Sequence, residues 1–147
     1  MLSVSKQFTL GKNERLKSRK QIEQLFSDGK SFAVNPFRVH YAVNRQSSMV
    51  NESNSLQFGV GVSSKNFKKA VDRNRIKRLT REAWRLQKND PIAIGLKEKL
   101  KINGKQLNVF FIYTGKALPD FETAKDKVAV VLKKLSDKID ENISENP

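Results

Sequence analysis

The chain lacks cysteine entirely and has a single histidine, His40, among its 147 residues. Without cysteine there is no disulfide, no thiolate metal ligand and no cysteine nucleophile, which fits a reducing compartment, and we expect a cytoplasmic protein. One histidine cannot by itself form a metal site or a Ser-His-Asp arrangement. The 15 acidic residues are scattered, whereas two-metal phosphodiester cleavage needs clustered carboxylates. We therefore expect no catalytic residue and no metal ion bound by the protein alone.

Long apolar runs are missing as well. The sequence has no apolar stretch of about 18 residues, the length that a membrane-spanning helix needs. Residues 1–12 contain no apolar run of the kind that a secretory signal requires. We expect a protein that is neither exported nor bound to a membrane.

Positive charge is what the chain has in excess, with a net charge of +14. Residues 120–147 carry seven acidic and five basic side chains, so the excess lies in residues 1–119. Charge of this size and placement indicates a nucleic-acid or anionic partner. The length predicts a single domain over residues 1–147. We expect its core at about residues 13–139, with loose tails at 1–12 and 140–147.

The strongest local pattern is a basic helix predicted over residues 71–88. At about 100° per residue, one side gathers Ile76, Leu79, Ala83 and Leu86 and is expected to face the core. The opposite side is cationic, with Arg73 and Arg75 on its flanks, and gathers Asn74, Lys77, Arg78, Arg81, Arg85 and Lys88.

Two interpretations of this cationic side are open. A charged helix side is often only solvated, but such sides usually mix both signs to form i,i+4 pairs. Here seven Lys or Arg residues face only Asp72 and Glu82. Arginine outnumbers lysine, and the guanidinium fork suits phosphate, so we favour a polyanionic partner.

The rest of the chain alternates strand and helix patterns. Strands are predicted at 37–43, 56–63 and 107–113 from period-2 or continuous apolar patterns. Helices are predicted at 18–26 with Ser18 as N-cap, at about 91–101 after Asp90-Pro91, and at 121–139. A turn of helix is predicted at 67–70, with Asp72 as the cap of the basic helix. The element order is α-β-β-α-α-β-α.

Ile22 and Phe26 of the first helix suit the core by their spacing, and His40 suits a solvent-facing position. Two glycines allow both a structural and a functional interpretation. Gly59 and Gly61 share one strand face, which indicates close approach either of a helix or of a nucleotide chain.

The run RNRIKRLTREAW, with FGVGVSSKNFKKAVD before it, resembles the arginine-asparagine-arginine signature of the protein subunit of bacterial ribonuclease P. The segment NERLKSRKQIEQLFSDGKS is similar to the first helix of that family, and the resemblance runs from about residue 13 to about residue 139. The resemblance implies an endoribonuclease complex that removes the 5′ leader of precursor tRNA. In that family the RNA subunit is the catalyst and holds Mg²⁺, while the protein binds the leader and raises substrate and metal affinity.

The resemblance also implies two sets of site residues. The catalytic RNA would be bound by the basic helix through Arg73, Asn74, Arg75, Lys77, Arg78, Arg81 and Arg85. The leader of precursor tRNA would lie in a cleft formed by Ile22, Phe26, Arg38, His40, Lys65 and Asn66. Ile22 stands where the family often has an aromatic residue, and Asn66 stands where a second lysine is common.

The fold implied by the resemblance is α+β, a small mixed sheet with a left-handed β-α-β crossover, like the second domain of ribosomal protein S5. We expect a monomer within the complex, with the catalytic RNA and precursor tRNA as partners. Two alternatives remain at this point. One is a ribosome-associated structural RNA-binding protein, and the other is a metal-dependent nuclease acting alone.

Overall fold

A four-stranded mixed sheet forms the centre of the molecule in a computed structural model that describes residues 14–16, 18–45 and 55–145. The strands lie in the order β1-β2-β4-β3. Neighbours β1/β2 and β2/β4 are antiparallel, and β3/β4 are parallel. The strands are β1 (Lys30–Val34), β2 (Phe37–Arg45), β3 (Leu56–Val62) and β4 (Lys105–Tyr113).

In the part of the chain that the structure describes, four helices cover the two faces of this sheet unequally. Three of them pack their buried residues into one core with the strands, and the first helix lies on the other face, which we call the open face. The helices are α1 (Arg19–Asp28), α2 (Ala70–Gln87), α3 (Pro91–Ile102) and α4 (Phe121–Glu145). Among the described residues, no helix is both long and apolar enough to span a membrane.

Strand alternation decides which side chains enter the core. In β2 and β4 the buried residues Val39, Val109 and Phe111 lie on the side of α2, α3 and α4. The residues between them, such as His40 and Phe110, fall on the open face, because successive side chains in a strand point to opposite faces. The strand predicted at 107–113 is observed as β4, which lies between β2 and β3.

The predicted α+β single domain is confirmed, but its element order is corrected by one strand. β1 precedes β2 and forms a hairpin with it, so the observed order is α-β-β-β-α-α-β-α. Because β1 is a short edge strand, only its residues Phe32 and Val34 are shielded from solvent. Two apolar positions are too few to predict a strand from the sequence. The parallel β3/β4 pair requires a β-α-β crossover through α2 and α3, whose hand stays a prediction.

The ends of the helices mostly follow local capping signals. Ser18 caps α1 as predicted, accepting a hydrogen bond from the Gln21 backbone N–H at 3.3 Å, and Gly29 ends it. Asp90 and Pro91 begin α3 as predicted, and its last residue is Ile102. The predicted loose arm at 1–12 lies outside the described residues, as do residues 46–54.

Two predicted helix boundaries are wrong. Residues 67–69 are not helical, and α2 begins at Ala70 after Lys69, so Asp72 sits inside the first turn rather than capping it. α4 does not end at residue 139 but continues to Glu145, so residues 140–145 of the predicted C-terminal tail are helical. Ile139 is 1% exposed, so the core anchors the helix close to this extension.

The buried side of α2 is rotated from the predicted one. Leu79 and Leu86 are only partly buried, and the side that faces the sheet consists of Ile76, Thr80, Ala83, Trp84 and Gln87. Trp84 sets this rotation, because its ring stacks on Phe58 of β3 with centroids 4.6 Å apart and planes at 9°. The polar members are satisfied: the Thr80 hydroxyl donates to the Ile76 carbonyl and Gln87 Nε2 donates to the Lys125 carbonyl of α4.

Lys88 was predicted on the cationic side of the helix, and the structure places it inside the protein instead. Its side chain is 7% exposed, and its Nζ lies 3.0 Å from Glu14 Oε1. The segment that carries Glu14 runs along the outer edge of β3, where the Leu16 N–H donates to the Phe58 carbonyl at 2.8 Å. The ion pair therefore holds the start of the described chain against the end of α2.

Removing this carboxylate is expected to destabilise the fold. Glu14→Ala removes the carboxylate that pairs with the buried Lys88 ammonium, and we expect the free energy of unfolding to fall by about 3 kcal/mol. The matched control is Glu23→Ala, which breaks the exposed Arg19–Glu23 pair and is expected to change it by less than about 1 kcal/mol. Urea unfolding of both variants measures the difference, and equal small losses would contradict the buried pair.

Candidate nucleic-acid interface

The cationic face of α2, defined as Asn74, Arg75, Lys77, Arg78, Arg81 and Arg85, lies opposite the side that packs on the sheet. Arg75, Arg78 and Arg81 are exposed, and within the described part of the chain they form no ion pair. Arginines at this spacing repel one another along the helix. The fold therefore presents a row of guanidinium groups whose mutual repulsion an external anion would offset.

Two arginines predicted to belong to this face are held by the protein. Arg73 Nη1 donates to the carbonyls of Phe67 and Lys68, both at 2.8 Å, so its guanidinium closes the turn that leads into α2. Arg85 is part-buried and pairs with Glu82 at 3.0 Å. The structure thus places Arg73 as a support for the β3–α2 connection, and Arg85 as a partly neutralised member of the cationic face.

The open face carries an aromatic cluster, defined as Phe26, His40 and Phe110. The Phe26 ring from α1 stands edge-on to both other rings, with centroids 4.9 Å from His40 and 5.4 Å from Phe110. His40 and Phe110 are direct partners in the β2/β4 register. Phe26 remains 44% exposed, so the cluster offers an accessible aromatic surface. Exposed rings of this kind stack on unpaired bases.

The Phe110 ring packs directly on the backbone of Gly59 and Gly61. A Cβ atom at Gly59 would stand 2.8 Å from Phe110 Cδ2, and one at Gly61 would stand 3.0 Å from its Cε1. The Leu16 carbonyl oxygen is also close to Gly59, at 3.2 Å. The close approach that the two glycines predicted is therefore made by a neighbouring strand's ring and by the residue-16 backbone, rather than by a helix.

The surroundings of His40 favour the neutral form of its imidazole. Burial lowers the pKa of its imidazole, and the positive charge of Arg38 on the same strand face lowers it further. Arg38 itself is exposed, and its Nη2 donates to the Ser31 hydroxyl of β1 at 3.1 Å. A neutral imidazole beside an exposed guanidinium gives this end of the open face both a flat ring and a phosphate-binding group.

The remaining predicted leader residues lie around this cluster. Ile22 is on α1, one turn from Phe26, and is partly buried. Lys65 and Asn66 are exposed in the turn that follows β3, at the end of the sheet where β2 begins. The fold therefore gathers Ile22, Phe26, Arg38 and His40 on the open face, and sets Lys65 and Asn66 at one end of it.

Phe110 is the residue of this face that the sequence analysis missed. The run LNVFFIY was interpreted as continuous apolar core, which hides the alternation within it. Once Val109 and Phe111 are assigned to the core, period 2 places Phe110 with His40 on the other face. That argument was available from the sequence.

In the part of the chain that the structure describes, the side chains form no cluster that could bind a metal ion. No group of three or more His, Cys, Asp or Glu side chains comes close enough there to hold one. Where Mg²⁺ binds in the complex stays a prediction.

Comparison with known proteins connects this arrangement to one family. The family model described as Ribonuclease P matches residues 10–136. The "Ribonuclease P protein component" of Porphyromonas gingivalis is 37% identical over 118 residues, which cover 80% of each chain. The protein of the same name from Chlorobium phaeobacteroides is 32% identical over 123 residues, covering 82% of this chain and 84% of its own.

Solved structures agree at the level of the fold. The ribonuclease P protein of Thermotoga maritima is 27% identical, with a TM-score of 0.57, and the match covers 82% of this chain and 96% of that one. The ribonuclease P protein of Staphylococcus aureus is 20% identical, with a TM-score of 0.59, covering 83% and 94%.

The close packing of Phe110 on Gly59 can be tested by adding a methyl group at Gly59. We expect Gly59→Ala to lower the free energy of unfolding by about 1–3 kcal/mol, because the new methyl group meets the Phe110 ring and the Leu16 carbonyl. The matched control is Gly95→Ala in α3, where nothing lies within 4 Å of the added carbon. The control is expected to raise stability by about 1 kcal/mol through helix propensity. Urea unfolding compares the two, and a gain at both positions would contradict the close contact.

Proposed function

Because the chain belongs to the ribonuclease P family, as the protein subunit of that enzyme, we propose that it binds the catalytic RNA with α2 and the 5′ leader of precursor tRNA with the open face. The polypeptide is one part of a nuclease complex. Phosphodiester hydrolysis is carried out by the RNA, and the protein raises the affinity of the complex for its substrate and for Mg²⁺. The product of the complex is tRNA with a mature 5′ end.

The observation that carries this proposal is that one small domain presents two surfaces of different chemistry. The cationic face is charged and repeats along a helix, which suits the phosphates of a folded RNA. The open face is aromatic around Phe26, which suits the unpaired bases of a single strand. Lys65 and Asn66 lie in the connection between β3 and α2, the helix that carries the cationic face.

The assignment of chemistry to the RNA rests on what the polypeptide offers. Its one histidine is half-buried against Phe26, and its acidic residues are scattered. General acid-base catalysis and two-metal hydrolysis both need groups that converge on a reacting phosphate. We place Mg²⁺ mainly on the RNA subunit, bound through its own oxygens. The protein acts as a monomer in the complex, in the cytoplasm.

Reconstitution tests the proposed function. A precursor tRNA with a 5′ leader is incubated at physiological Mg²⁺ with the protein alone, with a cognate ribonuclease P RNA alone, and with both. We expect efficient cleavage at the mature 5′ end only in the third mixture. Equal cleavage by the RNA with and without protein would point to a ribosome-associated role, and cleavage by the protein alone would place the active site in this chain.

The cationic face can be tested through the salt dependence of RNA binding. Arg81→Ala is expected to weaken binding to the ribonuclease P RNA and to lower the slope of log K against log salt by about 0.7–0.9, the value for one lost phosphate contact. Lys133→Ala is the matched control, since Lys133 is an exposed cation on α4. Its slope is expected to stay unchanged, and identical losses in both variants would show only a general effect of charge.

The open face can be tested through discrimination between precursor and mature tRNA. Phe26→Ala removes the exposed ring at the centre of the aromatic cluster, and we expect it to reduce the preference for leader-bearing tRNA by about 1–3 kcal/mol if the ring stacks on one base. Binding to the ribonuclease P RNA should be retained. Loss of folding, seen by circular dichroism, would show instead that Phe26 acts as a core residue.

A further inference from the structure

A short segment that precedes α1 is attached to β3 and to the end of α2. We call it the anchor segment and define it as Glu14, Arg15 and Leu16. Arg15 forms an isolated parallel bridge with Phe58 of β3, and the Leu16 N–H donates to the Phe58 carbonyl at 2.8 Å. Leu16 is 5% exposed. The anchor segment therefore belongs to the folded domain.

The second attachment is the ion pair with Lys88, the residue that follows α2. Lys88 Nζ donates to both carboxylate oxygens of Glu14, at 3.0 Å and 3.2 Å. The backbone of Lys88 is held as well, because its carbonyl accepts a hydrogen bond from Lys97 Nζ of α3 at 3.2 Å. The preceding residue, Gln87, donates to the Lys125 carbonyl of α4. Glu14 therefore binds to a part of the chain that α3 and α4 hold in place.

The helix that follows the anchor segment has few buried residues of its own. Of the ten residues of α1, only Leu25 is buried. A helix of three turns is marginally stable in water without tertiary contacts. Its C-terminal end is fixed, since Gly29 ends the helix and β1 begins at Lys30. Its N-cap, Ser18, stands two positions after Leu16 in the chain. The position of its N-terminal end therefore depends on the anchor segment.

The anchor segment also connects the two surfaces that are proposed to bind RNA. Its partner Lys88 follows Arg85 of the cationic face by three residues. An added Cβ at Gly59 would lie 3.2 Å from the Leu16 carbonyl oxygen, so the segment borders the backbone on which Phe110 packs. One end of the segment thus contacts the end of α2, and the other end lies beside the open face and leads into α1.

We propose that Glu14 and Lys88 are positioning residues for leader binding. Their ion pair holds the anchor segment, and the anchor segment fixes the N-terminal end of α1. The helix then presents Phe26 to the leader at a fixed place relative to the catalytic RNA on α2. This inference rests on the proposed binding of both RNAs, and it adds two residues that act through α1 rather than by contact with RNA.

The test uses the reconstituted holoenzyme and measures the leader gain. This gain is kcat/KM for a precursor tRNA with a long leader, divided by kcat/KM for a precursor with a single leader nucleotide. We expect Glu14→Ala to lower the leader gain about fivefold or more, the effect of one lost base stack. Its affinity for the ribonuclease P RNA is expected to change by less than about twofold, as at independent sites.

A charge exchange tests whether the ion pair itself is responsible. Glu14→Lys and Lys88→Glu each place two like charges next to each other, and each is expected to lose the leader gain. The double variant restores a pair of opposite charges with its direction reversed, and it is expected to recover most of the wild-type gain. Recovery of stability in urea unfolding without recovery of the leader gain would show that the pair serves the fold alone.

Two control variants separate positioning from a general loss of stability. Leu100→Ala lowers stability by removing a fully buried side chain near the end of α3. Asp140→Ala breaks a different ion pair between two elements, the one that joins Lys99 of α3 to α4 at 2.7 Å. Both variants are expected to keep the wild-type leader gain when the RNA is saturated with folded protein. An equal loss of the gain in Leu100→Ala and Glu14→Ala would overturn the positioning role.

The remaining outcomes distinguish this inference from the proposed function. If the wild-type holoenzyme shows no leader gain, leader binding by the protein is wrong, and the inference that rests on it falls as well. If the wild type shows a gain and Glu14→Ala keeps it, leader binding stands and the ion pair does not position α1.

Discussion

The stacking of Trp84 on Phe58 sets how α2 is turned towards the sheet. The two rings lie nearly parallel, 4.6 Å apart, and Ile76 and Ala83 fill the space on either side of them. Because residues three and four apart share a helix side, burying these positions leaves the guanidinium groups pointing outward. A rotation of the helix by one residue would bury cations. Core packing therefore determines the direction of the charged surface.

The open face depends on a different constraint, which is the absence of side chains at Gly59 and Gly61. Their bare backbone lets the Phe110 ring lie close to β3, and Phe110 in turn meets the edge of Phe26. α1 can then cross this face without covering it completely. The exposed Phe26 ring therefore packs against Phe110, which itself packs on the glycine backbone. These contacts restrict the side chains, so little side-chain freedom remains to be lost on binding.

Much of this arrangement could be predicted from the sequence, because it follows from local periodicity. The strong 3.6-residue pattern located α2 and its cationic face, and capping residues located the start of α1. Periodicity failed where a tertiary contact decided the outcome. The stacking of Trp84 on Phe58 changes which side of α2 is buried. The ion pair with Glu14, 74 residues away, keeps Lys88 in the interior. β1 was missed because an edge strand of five residues gains its stability from its neighbour rather than from its own pattern.

The segment around Leu16 has a consequence for the protein before any RNA is bound. β3 is the last strand of the sheet, and a bare last strand exposes unpaired N–H and C=O groups that can recruit another polypeptide. The Leu16 N–H occupies the Phe58 carbonyl, and Glu14 ties the same segment to Lys88. This segment therefore protects the edge of β3 in a newly synthesised subunit against edge-to-edge aggregation. The protection is independent of the mutual repulsion that a net charge of +14 provides.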